Sequence, residues 1–181
     1  MELFAERGID ATSMDAIAAS SGVSKATIYK HWADKDALCM EVLAFIHGLD
    51  VTAPVFDSGD LRADLIAQLR YDPGAERRVM KDRIWPHLVA YSARNQKFGA
   101  AWRTKVMEPA REAFTAMIRR GIKRGELKAD TDVEVGIALL LGPMIYRHVF
   151  VQRAGGFPPK DLEIYVADAF LGVFGVGTKT A

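Results

Sequence analysis

Lysine, threonine, tyrosine and histidine crowd one short stretch, Lys25-Ala26-Thr27-Ile28-Tyr29-Lys30-His31. Together they offer ammonium, hydroxyl, phenol and imidazole groups to whatever the stretch faces. As a helix it would turn Ile28 and Trp32, one turn apart, inward and leave Lys25, Ala26, Thr27, Tyr29, Lys30 and His31 on the other side. Lys and Thr reach base edges in a major groove, whereas Tyr, His and Lys also hydrogen-bond phosphate oxygens. The chemistry on offer is recognition of an acceptor-rich polyanion.

Two flanking elements must position that helix. Upstream, Thr12 and Ser13 are N-cap residues, and Thr12 with Asp15 approximates a capping box. The helix they start carries Met14, Ile17 and Ala18 on one face and stops at Ser20-Ser21-Gly22, since glycine takes the left-handed conformation that ends helices. Val23 plugs the corner and Ser24 caps the next helix. Downstream, Asp34 caps a helix through Leu38, Val42, Phe45, Ile46 and Leu49, with Lys35 in its first turn. A polar helix held by a partner across a glycine-containing turn is what a helix-turn-helix needs to enter DNA.

The order Leu3-Phe4, Gly8, Thr12-Ser13, Ile17-Ala18, Gly22-Val23-Ser24, Ile28-Tyr29, His31-Trp32, Lys35, Leu38 closely resembles the DNA-binding domain of the TetR family of transcriptional regulators, over roughly the first fifty residues. The resemblance implies that Thr12 and Ser13 contact phosphate, that Lys25, Ala26 and Thr27 begin the base-reading helix, and that Tyr29, Lys30, His31 and Lys35 clamp the phosphates that follow. Ala26 stands where the family often has Gly, and Trp32 where Phe is common. Members usually open with a full first helix after a short basic arm, whereas Met1 falls within what looks like the second half of that helix. The expectation is weaker DNA binding than by a chain extended upstream.

With 181 residues, half of them hydrophobic and a net charge of +1, the chain fits one globular domain, or a small domain with a larger one. The break Val51-Thr52-Ala53-Pro54-Val55-Phe56-Asp57-Ser58-Gly59 divides a DNA-binding domain, 1–50, from a regulatory and dimerisation domain, 51–181. Cys39 alone rules out an internal disulfide, and no secretory leader is visible, so a cytoplasmic location is expected. The fold class is all-α. Helical spacing continues over Asp60–Tyr71, Ala75–Ser92 with a kink or restart at Pro86, and Gln96–Lys123.

The segment 133–152 is apolar nearly all round but too short for a membrane span, and Gly142-Pro143, Arg147 and His148 interrupt it. A helix with two apolar faces must cover both, one against its own domain and one against a partner. The stripe from Lys160 to Phe174 pairs with it. Leu141, Ile145, Val149, Leu162, Tyr165, Val166, Ala169, Phe170 and Val173 are therefore expected at a two-fold homodimer interface, as in the TetR family, and the DNA partner is an inverted-repeat operator.

For a small-molecule effector, an apolar or aromatic compound, the candidates are Trp85, His87, Tyr91, Trp102, Met107, Phe114, Met117, Met144, Arg147 and His148. No cofactor and no metal site are expected. The competing classes are an interaction module whose helix-turn-helix no longer binds DNA, and an all-helical enzyme. The enzyme reading lacks CxxC, HExxH, GxSxG, GxxxxGK[ST] and GxGxxG motifs, and its best carboxylate pair, Asp60 and Asp64, reads as solvated surface.

Overall fold

A computed structural model describes residues 1–151 and 159–177, giving the backbone alone at 148 and 149. Among the described residues the chain is all helix, in the order α1 (Glu2–Arg7), α2 (Met14–Ser21), α3 (Lys25–His31), α4 (Lys35–Ile46), α5 (Leu61–Arg70), α6 (Ala75–Arg94), α7 (Gln96–Trp102), α8 (Glu108–Arg124), α9 (Val133–Tyr146) and α10 (Leu162–Phe174). Single stretches of wider π-type turn, Arg103–Met107 and Arg147–Val151, follow α7 and α9. None of these helices is long and apolar enough to cross a membrane.

The helices pack into two compact units, Met1–Ala53 with Asp72–Glu108, and Pro54–Tyr71 with Pro109–Ala181. Packing therefore differs from a simple division at residue 50, because α6 and α7 bury their apolar faces against the first four helices. Phe4, Ile9, Ile28, Leu43, Ile46, Ile84, Leu88 and Phe98 form one core. Of the kink or restart expected at Pro86, the restart does not occur: α6 runs through the proline. Proline removes one backbone hydrogen bond. Met80, Ile84, Leu88 and Tyr91, all buried along α6, hold the helix through that loss. Cys39 is fully buried in this core, and burial, with the nearby Asp36 charge, pushes its thiol up to about 12. It stays protonated and acts as a small apolar side chain.

The second unit is built from α5, α8, α9 and α10 around Leu65, Phe114, Met117, Ile118, Leu140 and Phe170. Asp60 caps α5, accepting from the Ala63 amide at 3.1 Å. Asp64 differs from its reading as solvated surface: it is 4 % exposed. Its carboxylate accepts from the Ser58 amide at 2.9 and 3.2 Å and from the Ser58 hydroxyl at 2.7 Å, closing the loop before α5. Asp64→Ala removes every hydrogen bond that this buried carboxylate makes to Ser58, so we expect a loss of about 1–3 kcal/mol in urea unfolding. A loss below about 0.5 kcal/mol would show that the loop is not held this way.

Candidate nucleic-acid interface

Ser13 is the N-cap of α2, its hydroxyl accepting from the Ala16 amide at 3.1 Å. Thr12 does not share that task. It is 1 % exposed, and its hydroxyl lies 2.7 Å from the Gly8 carbonyl and 3.2 Å from that of Leu3. The hydroxyl expected on phosphate thus points inward and ties the α1–α2 corner. Gly8 makes the corner possible, with φ +84° and its α-carbon so close to His87 that a Cβ would stand 3.0 Å from Nδ1.

Gly22, at φ 68° and ψ 8°, ends α2 in the left-handed conformation. Ser24 caps α3 by accepting from the Thr27 amide at 3.2 Å, and its Oγ is 2.8 Å from Thr27 Oγ1. Ile28 is buried at 4 % exposure and anchors the helix. Lys25, Ala26, Thr27, Tyr29, Lys30 and His31 are all exposed. Trp32, the C-cap, turns back and donates its indole N–H to Glu41 Oε2 at 2.8 Å. Lys25 Nζ lies 2.6 Å from Asp15 Oδ1 on α2.

Lys35 is placed differently from the expected phosphate clamp. Its Nζ donates to the carbonyls of Ile9, at 2.7 Å, and Asp10, at 3.2 Å, and stands 5.6 Å from the Tyr91 ring centre. Helical spacing puts a first-turn lysine near the DNA side, but it carries no information about carbonyls some 25 residues upstream. Two substitutions separate the roles. Lys30→Met should lower the slope of log affinity against log salt by about 1 per subunit, whereas Lys35→Met should leave the slope unchanged and lower the melting temperature. Equal slope changes for both would return Lys35 to the phosphate contacts.

The residues that hold α4 had no signal in local spacing. The Tyr91 hydroxyl donates to Asp36 Oδ1 at 2.6 Å, and Asn95 Nδ2 donates to Asp36 Oδ2 at 3.2 Å. Burial first, then the bond to Asp36, pushes the Tyr91 hydroxyl up to about 12. At the other end of α4, Arg77 donates to the Phe45 carbonyl at 3.0 Å and grips Asp50 at 2.5 and 2.9 Å. Tyr91, expected near an effector, is therefore committed to α4.

The remaining effector candidates divide between the units. In the first, His87 packs on Gly8, and Trp85 meets Trp102 edge-on with ring centres 5.8 Å apart. The His47 ring centre lies 5.4 Å from that of Trp85. The Trp102 indole N–H is buried with no acceptor among the described residues, and Met107 is half-buried in the π-type turn. In the second unit, Phe114, Met117 and Met144 are core, at 3 %, 2 % and 9 % exposure. Arg147 is already paired with Glu163 at 2.5 Å, the two side chains 18 % and 13 % exposed. The side chain of His148 lies outside the described residues.

Burial presses the Glu163 carboxyl upward, but the hydrogen bond and charge of Arg147 outweigh it and hold the group below its ordinary 4.5. A depressed folded-state value stabilises the fold above the unfolded value and loses that effect as pH falls through the folded one. The stability gap between wild type and Glu163→Gln should therefore be constant above about pH 4.5 and close below it. A gap independent of pH down to acid unfolding would contradict the pairing.

The expected dimer face is corrected in register. Val166 and Phe170, at 6 % and 1 % exposure, are core of their own unit, and Leu141, Ile145 and Leu162 are half-buried. Val149's side chain lies outside the described residues. Exposed on α9 are Val135, Ala138, Leu139, Gly142 and Tyr146, and on α10 the expected Tyr165, Ala169 and Val173 together with Gly172. Both sets follow the three- and four-residue steps of a single helix face. Among the described residues, a Cβ built on Gly142 or Gly172 meets nothing within 4 Å, so both glycines open outward from them.

An exposed helix rich in donors, anchored by one buried isoleucine and held by a serine-capped partner across a left-handed glycine, defines a helix-turn-helix DNA-binding protein. Residues 1–42 match the family described as "Bacterial regulatory proteins, tetR family", and residues 55–168 match "Tetracyclin repressor-like, C-terminal domain". The chain is 33 % identical over 177 residues to the uncharacterized HTH-type transcriptional regulator YdeS of Bacillus subtilis, covering 95 % of this chain and 84 % of that one. It is 32 % identical over 135 residues to a DNA-binding transcriptional repressor, TetR, of Mycobacteroides abscessus, covering 73 % and 68 %. Among solved structures, a TetR-family regulator from Mesorhizobium loti shares the fold with TM-score 0.67 at 23 % identity, over 97 % of this chain and 92 % of that one. This chain belongs to the TetR family: it is a DNA-binding transcriptional regulator and not an enzyme.

Proposed function

We propose that the protein acts in the cytoplasm as a dimeric repressor on an inverted-repeat operator and is released by a small apolar effector. The reading assigns DNA recognition to residues 1–50 and regulation and dimerisation to 51–181, a division that the two family matches support. The observation that carries it is the apolar stripe of α9 and α10, whose small residues Ala138, Gly142, Ala169 and Gly172 allow two helix pairs to approach closely. Such a stripe left in water is the mark of a partner surface, and a second copy is the self-complementary partner a two-fold axis supplies. Two recognition helices then read major-groove faces about 34 Å apart or a multiple of it. Repression follows the Mycobacteroides abscessus relative, which is a repressor by name.

On this reading the phosphate contacts come from Ser13, Tyr29, Lys30 and His31, and the base contacts from Lys25, Ala26 and Thr27. Thr12 and Lys35 support the corner beneath them. For the effector we favour the group around Trp85 and Trp102, because the buried indole N–H of Trp102 lacks an acceptor and an apolar ligand bearing one would supply it. A ligand shifts the equilibrium only by binding better to the conformation unsuited to DNA. The test is a footprint on DNA flanking the gene at two salt concentrations. A protected inverted repeat, lost at high salt, is expected; no protection at either salt would favour the module that no longer binds DNA.

A further inference from the structure

Two neighbouring residues in the first turn of α4 are tied in opposite directions. Lys35 donates to the carbonyls of Ile9 and Asp10, in the corner between α1 and α2. Asp36 accepts from the other side, where α6 ends and α7 begins: its Oδ1 takes the Tyr91 hydroxyl at 2.6 Å and its Oδ2 the Asn95 amide Nδ2 at 3.2 Å. The same Nδ2 lies 3.2 Å from the Tyr91 oxygen, so the three side chains close a ring. Asn95 is also the residue at which the chain turns. Its backbone N–H closes α6 on the Tyr91 carbonyl, and its Oδ1 caps α7 by accepting from the Phe98 amide at 3.0 Å. The whole arrangement lies within the first unit. What α4 does, α3 follows: α3 ends at His31, α4 starts at Lys35, and Trp32 between them donates to Glu41 of α4 at 2.8 Å.

The apolar core beneath α4 does not fix its place to the same degree. Leu38, Cys39, Leu43 and Ile46 bury their area there, and burial has no direction. Hydrogen bonds do, weakening steeply once the donor angle falls below about 120°, and those to a carboxylate are roughly twice as strong as neutral ones. Direction matters at a DNA surface, because successive base pairs differ by about 3.4 Å along the axis and by about 35° around it. A drift of a few ångströms in each reading helix is enough to confuse one half-site spacing with the next. We propose that Tyr91, Asn95 and Asp36 fix the separation of the two recognition helices and so determine which half-site spacing the protein accepts. They are positioning residues, acting through α4, and the base and phosphate contacts belong to α2 and α3.

The inference rests on the dimeric DNA-binding reading, and the test separates the two. The whole wild-type protein selects an operator from a randomised duplex pool, and binding is then measured to that duplex and to one with two base pairs added between the half-sites. Wild type should bind the lengthened duplex about 100-fold or more less tightly, because both heads no longer engage at once. Tyr91→Phe removes the hydroxyl alone, and Asn95→Asp keeps the acceptor that caps α7 while setting a second carboxylate against Asp36. Both should narrow the ratio to about tenfold or less, with the slope of log affinity against log salt on the selected operator unchanged, since no phosphate contact is lost. Asp64→Ala, which lowers stability from within the second unit, should keep the wild-type ratio. Retention of the full ratio by either Tyr91→Phe or Asn95→Asp, or equal narrowing by Asp64→Ala, would overturn the proposal with DNA binding intact. Selection of no inverted repeat by wild type, or no penalty for the added base pairs, would overturn both readings.

Discussion

Gly142→Leu is expected to convert the protein to a monomer in sedimentation velocity at micromolar concentration and to weaken operator binding by about 100-fold or more. The protomer has no reason to resist the change. A Cβ there meets nothing within 4 Å among the described residues, and leucine favours a helix interior over glycine by up to about 1 kcal/mol. In the proposed dimer it obstructs the approach of the second copy. Ala138, Gly142, Ala169 and Gly172 are the low points of the exposed faces of α9 and α10, between Val135, Leu139, Tyr146, Tyr165 and Val173. With a monomer, the two recognition helices bind as separate events and the gain from linkage is lost. Melting should also become independent of protein concentration, as it is not for a protein stabilised by association. A Gly142→Leu protein that remains dimeric would place the partner surface elsewhere.

The second large effect is on stability. Phe170→Ala should cost about 3–5 kcal/mol in urea unfolding, the range for emptying a large aromatic site. Phe170 is 1 % exposed, its ring lies 5.2 Å from that of Phe174, and it fills the space that Gly136 leaves on α9. A Cβ on Gly136 would stand 3.0 Å from Phe170 Cε2, so the two positions are fitted to each other. Val173→Ala, one turn along α10 but 50 % exposed, should change protomer stability by less than about 0.5 kcal/mol. The comparison is made on the Gly142→Leu background, where unfolding reports on the protomer alone. Equal costs for Phe170 and Val173 there would mean that the two faces of α10 have been assigned the wrong way round.

These two residues show where sequence reasoning ran out. Period and composition mark α10 as a helix that is apolar on most sides, and a helix of that kind must have two covered faces. Which face goes to the protomer depends on where Gly136 and Ile118 lie, and no spacing within α10 encodes that. The same limit explains Thr12 and Lys35. Both hold positions that suit DNA contact, and both spend their polar atoms on carbonyls of the first helix and the corner after it. Local signals did better. Ser24, Gly22 and Asp34 act within four residues of themselves, and the capped ends of α2, α3 and α4 follow from them directly. Pro86 is the converse case, a strong local signal for interruption that burial of Ile84 and Leu88 on either side of it overrides.

The central claim is that two copies of this chain read one inverted repeat through α3. Its most direct measurement is the mass of the complex on the footprinted site by sedimentation, taken across a salt series with affinity read in parallel. The account predicts two chains, or a multiple of two, per duplex, with affinity falling linearly in log salt and Lys30→Met lowering the slope by about 1 per subunit. A single chain per duplex, or affinity insensitive to both salt and Lys30, would contradict it.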